Sequence, residues 1–189
     1  MASNENHMVG DNELLQAALR GDEAAFTALY RRRQGAVYRF ALHMSGDAAV
    51  SEDVTQEVFL ALLESGGRFD SSRGTLLSFL YGIVRNLVLR RVENNLPEES
   101  NSAAEELAAD DDVLDDLTRQ ETIEAVRNAV LSLPMLYREA VVLCDLEYAS
   151  YEDAAAALGC PVGTVRSRLS RGRAMLGQKL AVKAVRSMS

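Results

Sequence analysis

YEDAAAALGCPVGTVRSRLSRGRAML, residues Tyr151 to Leu176, is the stretch whose reading decides the fold. The run Ser150-Tyr151-Glu152-Asp153 has the spacing of a loose capping box and predicts a short helix to Leu158. Ala155 leaves room for a second helix to approach closely. Gly159, four residues on, permits the left-handed backbone of a tight turn. Pro161 fixes the start of a long helix from about Val162 towards Val182. On that helix Val165, Leu169 and Leu176 fall within about 40° of one another at roughly 100° per residue, so they face a core. Thr164, Ser167, Ser170 and Arg171 fall on the opposite side, with Arg166, Arg168 and Arg173 at the flanks. This is the layout of a helix-turn-helix. A helix with an apolar back and outward arginines and hydroxyls suits the DNA major groove, where arginine pairs bidentately with guanine and flanking arginines hold phosphates.

Working upstream, Pro134 suits the first turn of a helix ending near Leu146. Thr118-Arg119-Gln120-Glu121 has a capping-box pattern that predicts another helix, to about Leu131. Residues 118–182 are thus expected to form a four-helix domain. Ahead of it, from Glu98 to Asp116, stand nine acids and no base, whereas Val162 to Ser189 holds seven bases and no acid. The formal net charge of −8 therefore does not argue against nucleic acid, because local fields guide binding. Dense like charges disfavour a compact core, so residues 96–117 are expected to be a flexible acidic linker. It reads either as a plain solvated tether or as a segment that mimics nucleic acid in a basic channel.

The first half is helical as well. Asp11 is expected to cap a helix ending near Gly21. Asp22 is expected to cap a second, with Ala25, Phe26, Leu29, Tyr30, Val37 and Phe40 on one side. Asp47 is expected to cap a third, with Val50, Val54, Val58 and Leu62 every four residues. Glu52, Asp53, Gln56 and Glu57 lie off that seam. A glycine-rich loop leads to a fourth helix, from about Thr75 to Val92, with Leu76, Phe79, Leu80, Ile83, Val84 and Leu87 inward. The expectation is an all-α chain of two small helical domains, residues 11–95 and 118–182, joined by the acidic linker.

Several function classes are excluded by composition. His7 and His43 are the only histidines, and Cys144 and Cys160, the only cysteines, stand 16 apart without a CxxC, so no metal site is expected. The two thiols read as reduced and partly buried. No nucleophile–base pair and no phosphate-cradling GxxxxGK[ST] occurs, so neither enzyme activity nor a cofactor is expected. No stretch approaches the roughly 20 apolar residues needed to span a bilayer. The N-terminal MASNENHMVG has neither the basic start nor the apolar core of a signal peptide. A cytoplasmic protein without direct membrane insertion is expected.

The run Tyr151 to Leu176 closely resembles region 4 of extracytoplasmic-function (ECF) sigma factors of the sigma-70 family, and LSLPMLYREAVVLCDLE, Leu131 to Glu147, is similar to the segment before it. Glu52-Asp53-Val54-Thr55-Gln56-Glu57-Val58-Phe59 resembles the family's polymerase-binding helix. TLLSFLYGIVRNLVLRR, Thr75 to Arg91, resembles its helix for promoter melting, with Phe79 where the family usually has tryptophan.

The resemblance implies a subunit that binds core RNA polymerase at the clamp helices of the largest subunit and at the beta flap, directs it to promoter DNA and helps melt the minus-ten element. Asp53, Gln56 and Glu57 would offer acceptors to the clamp. Arg68, Phe69, Ser71, Ser72 and Asn86 would engage unpaired minus-ten bases, with Arg85, Arg90 and Arg91 on the backbone. Thr164, Arg166, Ser167, Arg168, Ser170, Arg171 and Arg173 would read the minus-thirty-five duplex. The family further implies an anti-sigma factor as partner, and a linker threaded towards the polymerase's basic channels. The alternative from the residues alone is a helix-turn-helix regulator that binds DNA without polymerase.

Overall fold

The computed structural model describes residues 9–94 and 115–187. The chain is all-α, with α1 (Asp11–Leu19), α2 (Glu23–Ser45), α3 (Ala48–Ser65) and α4 (Leu76–Asn94) in the N-terminal half. The C-terminal half holds α5 (Asp115–Leu131), α6 (Met135–Val141) running on into a π-helical turn (Val142–Leu146), α7 (Tyr151–Leu158) and α8 (Val162–Ser187). Local chemistry accounts for most of the boundaries. Asp22 accepts hydrogen bonds from the backbone N–H groups of Ala24 and Ala25, Asp47 from that of Val50, and Ser150 from that of Asp153, each satisfying donors that a helix start leaves free. Gly159 ends α7 at φ 61°, in the left-handed region.

Two expected starts are different. Gly10, not Asp11, is the N-cap of α1. Asp11 lies one residue inside, where its carboxylate meets Arg32 at 3.0 Å and Arg33 at 2.6 Å on α2; two guanidinium partners outcompete a cap. Helix α5 begins at Asp115, which puts Thr118 inside the helix and removes its capping role. Acidic residues are compatible with a first helical turn because the N-terminal dipole is positive. The expected acidic linker, 96–117, lies outside the described residues up to 114, and its last three residues belong to α5.

Helix α4 is the hub. The inward positions read from its sequence do pack inward, Phe79 and Ile83 partly, but Tyr81 and Val88 are also buried. The Tyr81 ring packs on Phe40 of α2, 4.7 Å away; on another side α7 of the other half lies against α4. A Cβ on Gly82 would stand 3.4 Å from the Ala157 carbonyl oxygen, so the two helices meet almost backbone to backbone. One apolar cluster runs from Leu14 through Leu80, Tyr81 and Val84 to Val142, Leu143, Ala154, Leu158 and Val165. Each leucine or valine removed from water there contributes about 1.5–3 kcal/mol. A smaller cluster, Leu133, Ala140, Val141 and Leu169, ties α6 to α8.

Arg138 pins the helix ends together. It donates to the Met44 carbonyl at the end of α2 at 2.7 Å, and to the Leu131 and Leu133 carbonyls at the end of α5. A guanidinium there satisfies orphan carbonyls at two negative dipole ends.

The α6–α8 contact depends on Gly172, where a Cβ would fall 2.7 Å from a Val141 methyl and 3.3 Å from the Tyr137 carbonyl oxygen. Replacing glycine by alanine in a helix normally stabilises by up to about 1 kcal/mol. Here overpacking against a side chain and a backbone oxygen reverses the sign, and Gly172→Ala is expected to destabilise by about 1–3 kcal/mol. Urea unfolding measures it; an unchanged or raised midpoint contradicts the packing described.

Candidate nucleic-acid and partner interfaces

Helix α8 presents Arg166, Ser167, Ser170, Arg171 and Arg173 as exposed residues, with Val165 and Leu169 buried behind them and Thr164 and Arg168 half-buried. The arginines are not equivalent. Arg166 lies over the Tyr151 ring, 5.4 Å from its centroid, and Arg173 grips the Asp145 carboxylate through two bonds of 3.0 and 2.6 Å. Arg168 approaches the Cys160 sulfur at 4.0 Å. Arg171 makes no ion pair among the described residues. Held flanking arginines and a free one in the middle give a helix face that can orient on phosphates and probe a base edge.

The loop before α4 is ordered by a short-range turn. Asp70 accepts from the Ser72 N–H at 2.9 Å and from its hydroxyl at 2.7 Å, and those bonds hold the Asp70 carboxyl below the usual aspartate range. Ser71 and Arg68 are exposed. Phe69 is half-buried, its ring 5.6 Å from that of Phe79, so the position where the family carries tryptophan keeps an aromatic partner. Asn86 and Arg90 are exposed on α4. Arg85 is not free: its Nε donates to Glu139 of α6 at 2.6 Å, and Glu139 is 1% exposed.

That pair belongs to a set of polar contacts between the halves. The Thr75 hydroxyl and N–H donate to Asp153 at 2.8 and 3.3 Å. Burial alone would raise the Asp153 carboxyl, but hydrogen bonds from Ser150 and Thr75 outweigh it and hold the group below its ordinary value. Glu147, just after the π-helical turn, receives the Tyr81 hydroxyl and the Arg39 guanidinium, both at 3.2 Å. The loop before α4 and the turn between α7 and α8 together line one cleft of about 650 Å³, with Arg68, Phe69 and Arg73 on one wall and Ala156, Gly159 and Pro161 on the other. The structure thus brings the loop 68–75 beside the turn of the helix-turn-helix.

Helix α3 exposes Asp53, Gln56 and Glu57. Glu57 is paired with Arg91 of α4 at 2.7 Å. Sequence reasoning missed two neighbours on this face, Leu60 and Leu63, which are 62% and 40% exposed. At about 100° per residue the five positions span about 120° of the helix. In VFLALLES these leucines blend with the buried Val58, Phe59 and Leu62, and only the four-residue seam marks them as outward. Among the described residues, no helix is long and apolar enough to cross a membrane. Cys144 and Cys160 are free and half-buried, and burial pushes the Cys144 thiol up.

Two family models match: Sigma-70 region 2 over residues 29–95 and Sigma-70, region 4 over residues 123–176. The chain is 37% identical to the ECF RNA polymerase sigma factor SigE of Mycolicibacterium smegmatis, covering 85% of this chain and 65% of that protein's length. It is 34% identical to the probable RNA polymerase sigma-C factor of Mycobacterium bovis, covering 85% of both. It is 35% identical to SigM of Mycobacterium tuberculosis, covering 92% of this chain and 86% of the relative. Among solved structures it is similar to CnrH in complex with the cytosolic domain of CnrY, with a TM-score of 0.70 at 26% identity over 91% of this chain and 97% of that one. It is also similar to the sigma factor RpoE of Bartonella quintana in complex with the anti-sigma factor NepR, with a TM-score of 0.63 at 26% identity over 83% and 97%.

A pH dependence follows from Glu147. Burial pushes its carboxyl above the ordinary glutamate value of 4.5, against the pull of Arg39 and Tyr81. A raised carboxyl contributes stability that is fully present below pH 4.5 and is lost as pH rises through the raised value. Glu147→Gln keeps the shape without the charge and should flatten that fall, read from urea midpoints as pH rises from 4.5. Equal slopes in the two proteins contradict the assignment.

Proposed function

The chain belongs to the extracytoplasmic-function branch of the sigma-70 family, and from that premise we propose that it binds core RNA polymerase, carries it to specific promoters and helps open the minus-ten element. One observation carries this reading. A single chain holds a helix-turn-helix with a free arginine on its outer face and, on a different helix, an exposed face mixing acceptors with leucines. A regulator that bound DNA without polymerase has no use for the second face.

In this reading Asp53 and Gln56 accept hydrogen bonds from basic groups of the polymerase clamp, while Leu60 and Leu63 supply the apolar area that gives such a patch affinity. Exposed charge pairs alone contribute about 1 kcal/mol or less each. Arg171 reads a base edge of the minus-thirty-five duplex, with Thr164, Ser167 and Ser170 beside it and Arg166, Arg168 and Arg173 on the phosphates. Ser71, Ser72, Asn86 and the Phe69 ring meet unpaired minus-ten bases, with Arg68, Arg85 and Arg90 on the backbone. No step of RNA synthesis is assigned to this chain; the chemistry is the core enzyme's. It works in the cytoplasm, and a protein of the anti-sigma class is a partner.

The reading requires a change of arrangement. The two promoter elements lie roughly 25 base pairs apart, on the order of 80 Å at about 3.4 Å per pair. Here the loop and the turn assigned to them line one cleft, and Arg85, assigned to the DNA backbone, is held by Glu139. The described arrangement is a closed form, and the halves must part on the promoter.

Run-off transcription with core polymerase on intact, upstream-scrambled and pre-melted templates tests the division of labour. Arg171→Ala should cost about 1–3 kcal/mol on the intact template and little once the upstream element is scrambled. Asn86→Ala should be partly rescued by the pre-melted template, and Asp53→Arg should lose activity equally on all three. Equal losses for Arg171→Ala and Asn86→Ala on every template contradict the reading.

A further inference from the structure

The turn between the π-helical segment and α7 carries a residue that the fold does not ask for. Tyr148 has φ 55° and is the only non-glycine residue with positive φ among the described residues. The turn around it is closed by two hydrogen bonds of 2.9 Å, from the Glu147 N–H to the Val142 carbonyl and from the Ala149 N–H to the Leu143 carbonyl. A left-handed residue just past a helix end is a place that favours glycine. Tyrosine there gains nothing from packing: it is 87% exposed, and its hydroxyl has no hydrogen-bond partner among the described residues. A large ring in a strained backbone position, unburied and unbonded, points to a role outside the fold.

Its surroundings say which. The loop is tied to α8 on both sides of Tyr148: Asp145, three residues before, by Arg173, and Tyr151, three residues after, by Arg166. Positions 166 and 173 are about 20° apart around the helix, so the loop runs along one arginine-bearing flank of α8. The adjacent Glu147 turns inward to Tyr81 and Arg39, and the charge of Asp145 is met by Arg173. No unpaired carboxylate from the loop stands beside Tyr148 to repel an anion.

We propose that Tyr148 is a DNA contact of this chain: its phenolic hydroxyl donates a hydrogen bond to a phosphate oxygen of the duplex that lies on α8, next to the phosphates held by Arg166 and Arg173. The inference rests on the reading of α8 as the duplex-facing helix. Tyrosine hydroxyls are ordinary phosphate partners, and such contacts fix register without reading sequence. Being neutral, the phenol adds affinity without changing counterion release.

The test uses the full chain bound to core polymerase, and a duplex fragment that this holoenzyme enriches from a randomised library. Tyr148→Phe removes only the hydroxyl; Tyr148→Gly removes the ring and relieves the backbone. Both should weaken binding to the fragment about tenfold or more, the scale of one hydrogen bond to a charged acceptor. The loss should be equal on fragments with altered upstream sequence, and the slope of affinity against salt should not move. Tyr148→Gly should at the same time raise the melting temperature; stability and affinity moving in opposite directions excludes a merely structural role. Wild-type affinity in both variants overturns the inference while leaving the reading of α8 intact, as does a loss confined to core-polymerase binding measured without DNA. If the unmodified holoenzyme enriches no sequence, the reading of α8 fails and this inference fails with it.

Discussion

A carboxylate buried in one half of the molecule and neutralised from the other is the constraint on which the arrangement turns. Glu139 of α6 is almost wholly enclosed, and the one cation that bonds it among the described residues is Arg85 of α4. Removing one partner of a buried ion pair ordinarily costs about 3–5 kcal/mol, because the other charge is left without water. The pair therefore holds the halves together only while both are apposed, and Arg85 cannot serve Glu139 and a DNA strand at once. If α4 meets the promoter as proposed, closure and that contact exclude each other at a single side chain.

The closure is also imperfect in a way that favours reversibility. Glu139 Oε2, Glu147 Oε1 and Arg138 Nε are buried side-chain atoms without a hydrogen-bond partner among the described residues, and a buried polar atom left unpaired carries a desolvation cost. Glu147 is held with a carboxyl that burial disfavours in its charged form. The apolar contact of α4 with α7, close enough at Gly82 for backbone to meet backbone, supplies attraction against these penalties. Two faces remain outside this balance. The acid and leucine face of α3 and the arginine face of α8 are exposed in the described arrangement, so the surfaces proposed for polymerase and duplex do not depend on the halves parting.

Much of the fold was legible because its signals are local. Asp22, Asp47 and Ser150 cap helices within three residues of themselves, and Gly159 marks its turn by a backbone angle that it alone tolerates well. The outward set on α8 followed from periodicity, since one flank of that helix is buried and the other is not. What was not legible is non-local. Periodicity assigns a helix one buried face, and it does not show that α7 lies against α4 at Gly82. Asp11 left its cap for two arginines on another helix, and Arg85 found its partner 54 residues away. Leu60 and Leu63 were hidden by their apolar neighbours. Tyr148 left no pattern in the sequence, because its significance lies in a dihedral angle.

The distance between the halves tests the account most directly. Nitroxide labels at Thr27→Cys on α2 and Asn128→Cys on α5, both exposed positions, with Cys144 and Cys160 replaced by serine, report it by pulsed electron spin resonance. The free chain should give one narrow distance, that of the described arrangement. The transcriptionally active complex with core polymerase and promoter should give a distance longer by tens of ångströms, on the order of the promoter-element spacing. The same distance in free chain and active complex would contradict the claim that closure and promoter binding exclude each other.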